Sequence, residues 1–284
     1  CNISFALNMV LHYLANKYHA FFLYLFFQFF LPKSSSSLLY VYHCSTNKTF
    51  TANSAYHFNL DTLLASLSTA AATGNKEFLN TTAGATPDTV YGLFLCRGDV
   101  PRQVCRDCVA VGTQKLASEV CQLQKEGIIW QGECLVRYSN RRFFSLVEEE
   151  PRLGIFSTAN VTENAKSNFT WTLASTLTQV VEEAANCGGA GAKKFAAKRA
   201  GLSNVAESKS LYAAAECTWD LSSEHCHRCL RDALRDVQWC CLGKAGGRLR
   251  YPSCGLRFEL YQFYWDMATA NSPLQHTPSH SEFT

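Results

Sequence analysis

Two tandem α+β domains, each with helices lying on one antiparallel sheet and each stapled by disulfides, are what this 284-residue sequence predicts. Three observations carry that reading. A set of cysteines recurs at a fixed offset; segments of alternating apolar residues flank those cysteines while helical spacing fills the gaps between; and thirteen of the fourteen cysteines follow an apolar run near the amino terminus.

The repeat comes first. Cys96, Cys105 and Cys108 recur as Cys217, Cys226 and Cys229, each 121 residues later. Cys121 answers to the doublet Cys240-Cys241 and Cys134 to Cys254, while "VYGLFLCRGDVPRQVCRDCV" aligns with "LYAAAECTWDLSSEHCHRCL". The expected organisation is a signal region at 1–38, a first domain at 39–148, a linker at 149–154 inside "EEEPRLG", a second domain at 155–268 and a polar tail at 269–284.

Within the first unit, Phe58, Leu60, Leu63, Leu64 and Leu67 near helical spacing predict a helix over 56–72, with its counterpart at 171–185. A second helix is expected over 105–121 with Val109, Leu116 and Val120 inward, and its counterpart over 226–237. Strand candidates are "TVYGLFLC", "GIIWQG", "CLVRYS" and "RFFSLV" in the first unit, and "SLYAAAEC", "GRLRYP" and "CGLRFELYQFY" in the second. The basic run 192–199, "AKKFAAKR", reads as a solvated helix face, and "GKAGGR" as a hairpin without the spacing of a phosphate cradle.

Composition bounds the function. A net charge of +3 argues against nucleic acid, whose binding calls for a dense basic stripe. The run "AFFLYLFFQFFL" at 20–31 is too short to span a membrane and suits the core of a secretory signal, with no membrane span expected after it. Asn47, Asn80, Asn160 and Asn168 head Asn-x-Ser/Thr sequons open to glycosylation on that route. The chain is therefore read as secreted, extracellular and non-enzymatic, with no cofactor.

The Cys-x-x-Cys pairs "CRDC" and "CHRC" have three readings. A thioredoxin-like site wants a βαβ unit, and structural zinc wants two short knuckles; neither pattern is here. Disulfides are left, and closing loops of tens of residues stabilises a small domain by roughly 3 to 4 kcal/mol.

Two copies of Cys-x8-Cys-x2-Cys, followed by single cysteines and ending in "GGRLRYPSCGLRFELYQFY", resemble the plant cysteine-rich repeat secretory proteins, whose ginkbilobin-like tandem domain also forms the outer part of cysteine-rich receptor-like kinases. The resemblance covers about residues 40–268 and implies two helices on a five-stranded antiparallel sheet per domain. It implies the pairs Cys44 with Cys121, Cys96 with Cys105, Cys108 with Cys134, Cys217 with Cys226, and Cys229 with Cys254. The pattern then breaks: the second unit lacks the first cysteine, and Cys187 stands as an extra residue that would bridge to Cys240 or Cys241.

Ginkbilobin binds mannose, and its sugar contacts fall on Ser45, Ile128 and Ser139 in the first unit, where all three residue types are lost. In the second unit Arg248 and Glu259 match by spacing, with an ion pair between strands as the competing role. The resemblance implies an apoplastic recognition protein in defence or stress signalling, whose partners would be a mannose-type cell-wall or microbial glycan or receptor ectodomains. The alternatives are a truncated receptor-kinase ectodomain and a directly antifungal lectin. Arg97-Gly98-Asp99 sits in the Cys96–Cys105 loop as an exposed turn.

Overall fold

The computed structural model describes residues 40–74, 76–202 and 210–265. The apolar run assigned as a signal and the polar tail lie outside these residues.

The first domain runs β1 (Val41–Cys44), α1 (Ala55–Thr73), β2 (Phe78–Ala83), β3 (Val90–Cys96), α2 (Arg102–Lys115), β4 (Glu126–Trp130) and β5 (Cys134–Ser139), with a π-helical turn Leu116–Val120 closing α2. The second repeats it as β6 (Leu153–Phe156), α3 (Glu163–Ala185), β7 (Phe195–Gly201), β8 (Ser210–Cys217), α4 (Ser223–Cys240), β9 (Gly246–Arg250) and β10 (Cys254–Glu259). Each domain has one five-stranded antiparallel sheet, ordered β1-β4-β5-β3-β2 and β6-β9-β10-β8-β7.

Ser54 starts α1 by accepting from the backbone N–H of His57 at 3.3 Å, and Ser222 starts α4 by accepting from that of His225 at 3.1 Å. Leu60, Leu63, Leu64 and Leu67 of α1 are buried at i, i+3, i+4 and i+7 against Val90 and Phe94 of β3. The helix lies so close that a Cβ on Gly92 would meet the Leu63 side chain at 2.4 Å. In the second domain Phe169, Leu173 and Leu177 of α3 pack on Ala213, Ala215 and Phe258.

Five expectations need correcting. Phe58 is exposed, because two residues before Leu60 puts it some 200° round the helix from the apolar stripe. The segment 192–199 is no helix face: it enters the edge strand β7, and Lys194 is fully buried with its ammonium donating to Gly188 O and Gly189 O at 3.0 and 2.7 Å. "RFFSLV" forms turns, and Phe143 is buried without strand pairing, in one cluster with Leu93, Leu95, Ile128 and Trp130 and against the Arg137 guanidinium. "GKAGGR" is the turn from α4 into β9, and β6 starts inside the expected linker.

The sheet faces turned away from the helices meet each other. Trp130 and Tyr251, 121 residues apart, are joined by a hydrogen bond from Trp130 Nε1 to Tyr251 O at 3.2 Å. Around this pair the contacts are reciprocal. Asp99 accepts from Trp265 N at 2.9 Å, and its counterpart Asp220 accepts from Ser145 N at 2.6 Å. Gly98 lies against Phe195, and its counterpart Trp219 stacks on Phe78 at 5.7 Å. This is the pattern of a local two-fold axis, the isologous contact of a symmetric dimer, here within one chain.

Candidate recognition site and the cysteine frame

In the first domain Cys44 is bonded to Cys121, Cys96 to Cys105 and Cys108 to Cys134, with Cα separations of 5.4, 5.5 and 6.1 Å. In the second, Cys217 is bonded to Cys226 and Cys229 to Cys254, at 5.7 and 6.1 Å. Cys96 ends β3 and Cys105 lies in the first turns of α2, so the pair clips strand to helix; Cys108, one turn on, reaches the start of β5.

The open positions resolve differently from the expectation. Cys240 and Cys241 are bonded to each other, and Cys187 is free and exposed. A bridge from Cys187 to the doublet is excluded by distance. Ser223, at the start of α4, donates to Gly188 O at 2.9 Å, which places Cys187 at that end. Cys240 is at the other end of the 18-residue helix, about 27 Å away at 1.5 Å per residue, whereas a disulfide needs Cα atoms within about 7 Å. The cause is visible in register: Cys44 pairs across the sheet with Gly127, and the residue facing the equivalent Gly247 is Phe156. With no thiol on β6, Cys241 turns to its neighbour.

The Arg-Gly-Asp triplet is not an exposed adhesion loop. Arg97 and Asp99 are 4% and 3% exposed and form a two-point ion pair at 2.5 and 2.8 Å. Arg97 also donates to Phe263 O at 3.2 Å. Burial pulls the Arg97 pKa down, but the Asp99 charge and hydrogen bonds outweigh it and raise it.

Arg248 and Glu259 are brought together on the sheet face of the second domain, at 3.5 Å. They are only 7% and 1% exposed, and Glu259 is also held by Arg257 Nε at 2.9 Å. The Glu259 carboxylate lies over Gly246, where any Cβ would collide with it. Burial lifts the Glu259 pKa against the pull of Arg257 and Arg248, and burial together with the neighbouring Arg248 charge lowers that of Arg257 to about 9. This is a sealed charge cluster.

In the first domain the matching positions Ser45 and Ile128 line an open cleft of about 340 Å³ with His43, Glu126, Arg137 and Arg141. Glu126 accepts from Lys48 at 3.4 Å and lies 3.6 Å from Arg141, so the cleft presents guanidinium donors and carboxylate acceptors suited to a polar ligand. Arg137 and Arg141 both bond Glu148. Burial would raise the Glu148 carboxyl, but these two partners hold it below the usual range.

Of the sequons, Asn47 and Asn160 are exposed in irregular segments, whereas Asn80 lies half-buried in β2 and Asn168 half-buried in α3. Asn47 and Asn160 occupy corresponding loops: Thr49 bridges Gln124, and Asn160 bridges Lys244, 120 residues on. Among the described residues no group of three His, Cys, Asp or Glu is placed to hold a metal ion. No helix among them is long and apolar enough to cross a membrane.

Sequence reasoning missed one surface. Trp171 and Trp239 are large, exposed side chains on α3 and α4. Trp171 was expected to open a helix; α3 begins at Glu163, and Trp171 is on the opposite side from Phe169 and Leu173. Trp239 is 70% exposed yet fixed, its Nε1 donating to Asp236 Oδ1 at 3.1 Å. Asp236 also accepts from Tyr251 and, at 3.1 Å, from Arg152. Burial would raise the Asp236 pKa, but these hydrogen bonds lower it.

Comparison with known proteins places this architecture. The family described as salt stress response/antifungal matches residues 43–141 and 156–261. Cysteine-rich receptor-like protein kinase 25 of Arabidopsis thaliana is 37% identical over 257 residues, covering 89% of this chain and 37% of that kinase. Cysteine-rich receptor-like protein kinase 4 of the same plant is 38% identical over 227 residues, covering 79% and 32%. The chain thus spans about a third of the length of these relatives. The crystal structure of the tandem DUF26 ectodomain of the Arabidopsis thaliana cysteine-rich receptor-like protein PDLP8 superposes with a TM-score of 0.66 at 20% identity, covering 78% of this chain and 97% of that one. That of PDLP5 gives 0.59 at 24%, covering 78% and 98%.

Proposed function

Because the chain belongs to the salt stress response/antifungal family and carries two copies of its domain in tandem, we propose that it is a non-enzymatic recognition module, secreted or at the cell surface, acting in defence or stress signalling. The observation that carries this reading is the reciprocal interface. Asp99 with Trp265 and Asp220 with Ser145 latch each domain to the other, so the pair offers a partner one rigid body. Both inner sheet faces are used up in that contact. What remains for recognition is the helix faces, the edge strands and the cleft beside β1.

The secretory route is supported by the apolar run at 20–31, by six disulfides, which persist in oxidising compartments, and by exposed sequons at Asn47 and Asn160. A mannose-binding role would need Arg248 and Glu259 to reach a sugar, and both are engaged with each other and Arg257 under the second sheet. We therefore place ligand contact elsewhere on the surface.

Two measurements test the reading. Expressed in leaf cells with a fluorescent tag, the protein should reach the extracellular face with Cys96 and Cys105 oxidised. Screened against purified receptor-kinase ectodomains, it should bind at least one, and lose that binding on reduction. Retention in the cytosol with reduced thiols would overturn it.

A further inference from the structure

The outer face of α4 carries a row of residues that nothing in the fold requires. Arg228, Arg231, Arg235 and Trp239 follow one another at i, i+3, i+7 and i+11, within about 80° of the helix circumference and over about 16 Å of its axis. All four are exposed, the Arg235 side chain by 76%. Arg235 pairs with Asp232, and Glu224 stands at the start of the same face; among the described residues neither Arg228 nor Arg231 is in an ion pair. On the neighbouring helix, Glu182 is occupied by His227 at 2.6 Å.

At the end of the row the indole of Trp239 is exposed and tethered at one edge. Its N–H is taken by Asp236, whose other partners are Tyr251 and Arg152, so binding to the ring costs little side-chain entropy. The first domain has none of this: the residues 121 positions earlier are Asp107, Ala110, Gln114 and Ser118. The repeat therefore keeps a helix and its cysteines at this place but not its outer face.

We infer that this face binds a linear polysaccharide bearing carboxylates, a polyuronate. The arginines take the carboxylates, which guanidinium forks match in two-point geometry, and the Trp239 ring stacks on the C–H face of a sugar ring. A convex helix face with regularly spaced donors suits an extended polymer, whereas an acidic peptide with an apolar anchor would call for a groove beside the indole. The inference deepens the recognition reading by naming a ligand class, and rests on it for the compartment in which such a polymer is met. Binding itself is tested apart from location.

The experiment is a calorimetric titration of the purified, oxidised chain with a defined, unesterified oligogalacturonate at two ionic strengths. Binding should weaken with salt and fall tenfold or more in the double variant Arg228→Ala, Arg231→Ala, whose exposed sites leave thermal unfolding unchanged. Trp239→Ala should weaken it to a similar degree. Trp239→Phe, which keeps a ring face, should retain most of it. Binding unaffected by these alanine variants, or equal binding of a fully methyl-esterified oligomer, would overturn the inference. Equal binding of polyglutamate would assign the face to acidic polypeptides and overturn it as well. Extracellular location and ectodomain binding can hold in each of those cases, so the two readings fail separately.

Discussion

The two domains use one cysteine frame on two different faces. In the first, the inward sheet face is apolar: Leu93, Leu95, Ile128, Trp130 and Leu135 form one buried cluster. At the equivalent positions the second has Ala214, Glu216, Arg248, Arg250 and Gly255, with Arg250 bonded to Glu216 at 2.9 Å. A duplicated sheet has thus become two complementary faces, one supplying apolar surface and the other small residues and satisfied charges. The edge strands diverge too. Cys44 ties β1 to the end of the α2 turn, whereas the second domain leaves β6 without a tether and closes Cys241 onto Cys240. Shared helices and disulfides keep the scaffold; the residues free to differ decide what the scaffold touches.

The largest expected effect breaks the comparison at the tethers. Replacing Cys44 and Cys121 by serine opens a 77-residue loop and should cost about 4.5 kcal/mol in chemical denaturation. Replacing Cys240 and Cys241 opens no loop of consequence and should cost less than about 1 kcal/mol; equal costs would mean the doublet is a structural tether after all.

The reciprocal latches give the next contrast. Asp99→Ala leaves buried Arg97 without its carboxylate and should lower stability by about 3 kcal/mol. Asp220→Ala removes the same backbone contact with no buried cation bonded to it, and should cost about half as much.

Glu148→Gln, at the linker, should cost about 2 kcal/mol at pH 7. Its folded pKa is depressed, so its contribution is present above the ordinary carboxylate pKa and is lost as pH falls through the folded value. The gap in melting temperature between wild type and variant should therefore close below about pH 4; a constant gap would remove Glu148 from the acid response. Smallest is the helix start. Ser222→Ala should cost about 1 kcal/mol, while the equivalent Pro101→Ala should cost less, since Pro101 makes no side-chain cap bond.

Much of the fold was legible because cysteine spacing is a long-range signal that survives divergence. Cys96, Cys105 and Cys108 with their copies located β3, α2, β8 and α4, and leucine periodicity located α1. The edge strands β1, β2, β6 and β7 were not found. Each has a partner on one side only, so half of its pattern is set by solvent, and β7 carries lysine and arginine as edge strands commonly do. Burial on the sheet face turned away from the helices misled in two directions. It gave "RFFSLV" the look of a strand, and it hid Arg97 and Asp99, whose charges suggest exposure until their pairing is seen. The sugar positions Arg248 and Glu259 were correctly brought near each other by spacing, but spacing holds no information on what covers them. Trp239 was legible in principle: an aromatic in phase with the arginines of a helix has no place in the core.

The latch at Trp265 has a mechanical consequence. Its backbone N–H is held by Asp99 and its ring packs on the first domain, beside Arg97. A pull applied to the chain beyond Trp265 would load that latch before any strand of the second sheet. The first bond to yield under tension would then be one between the domains.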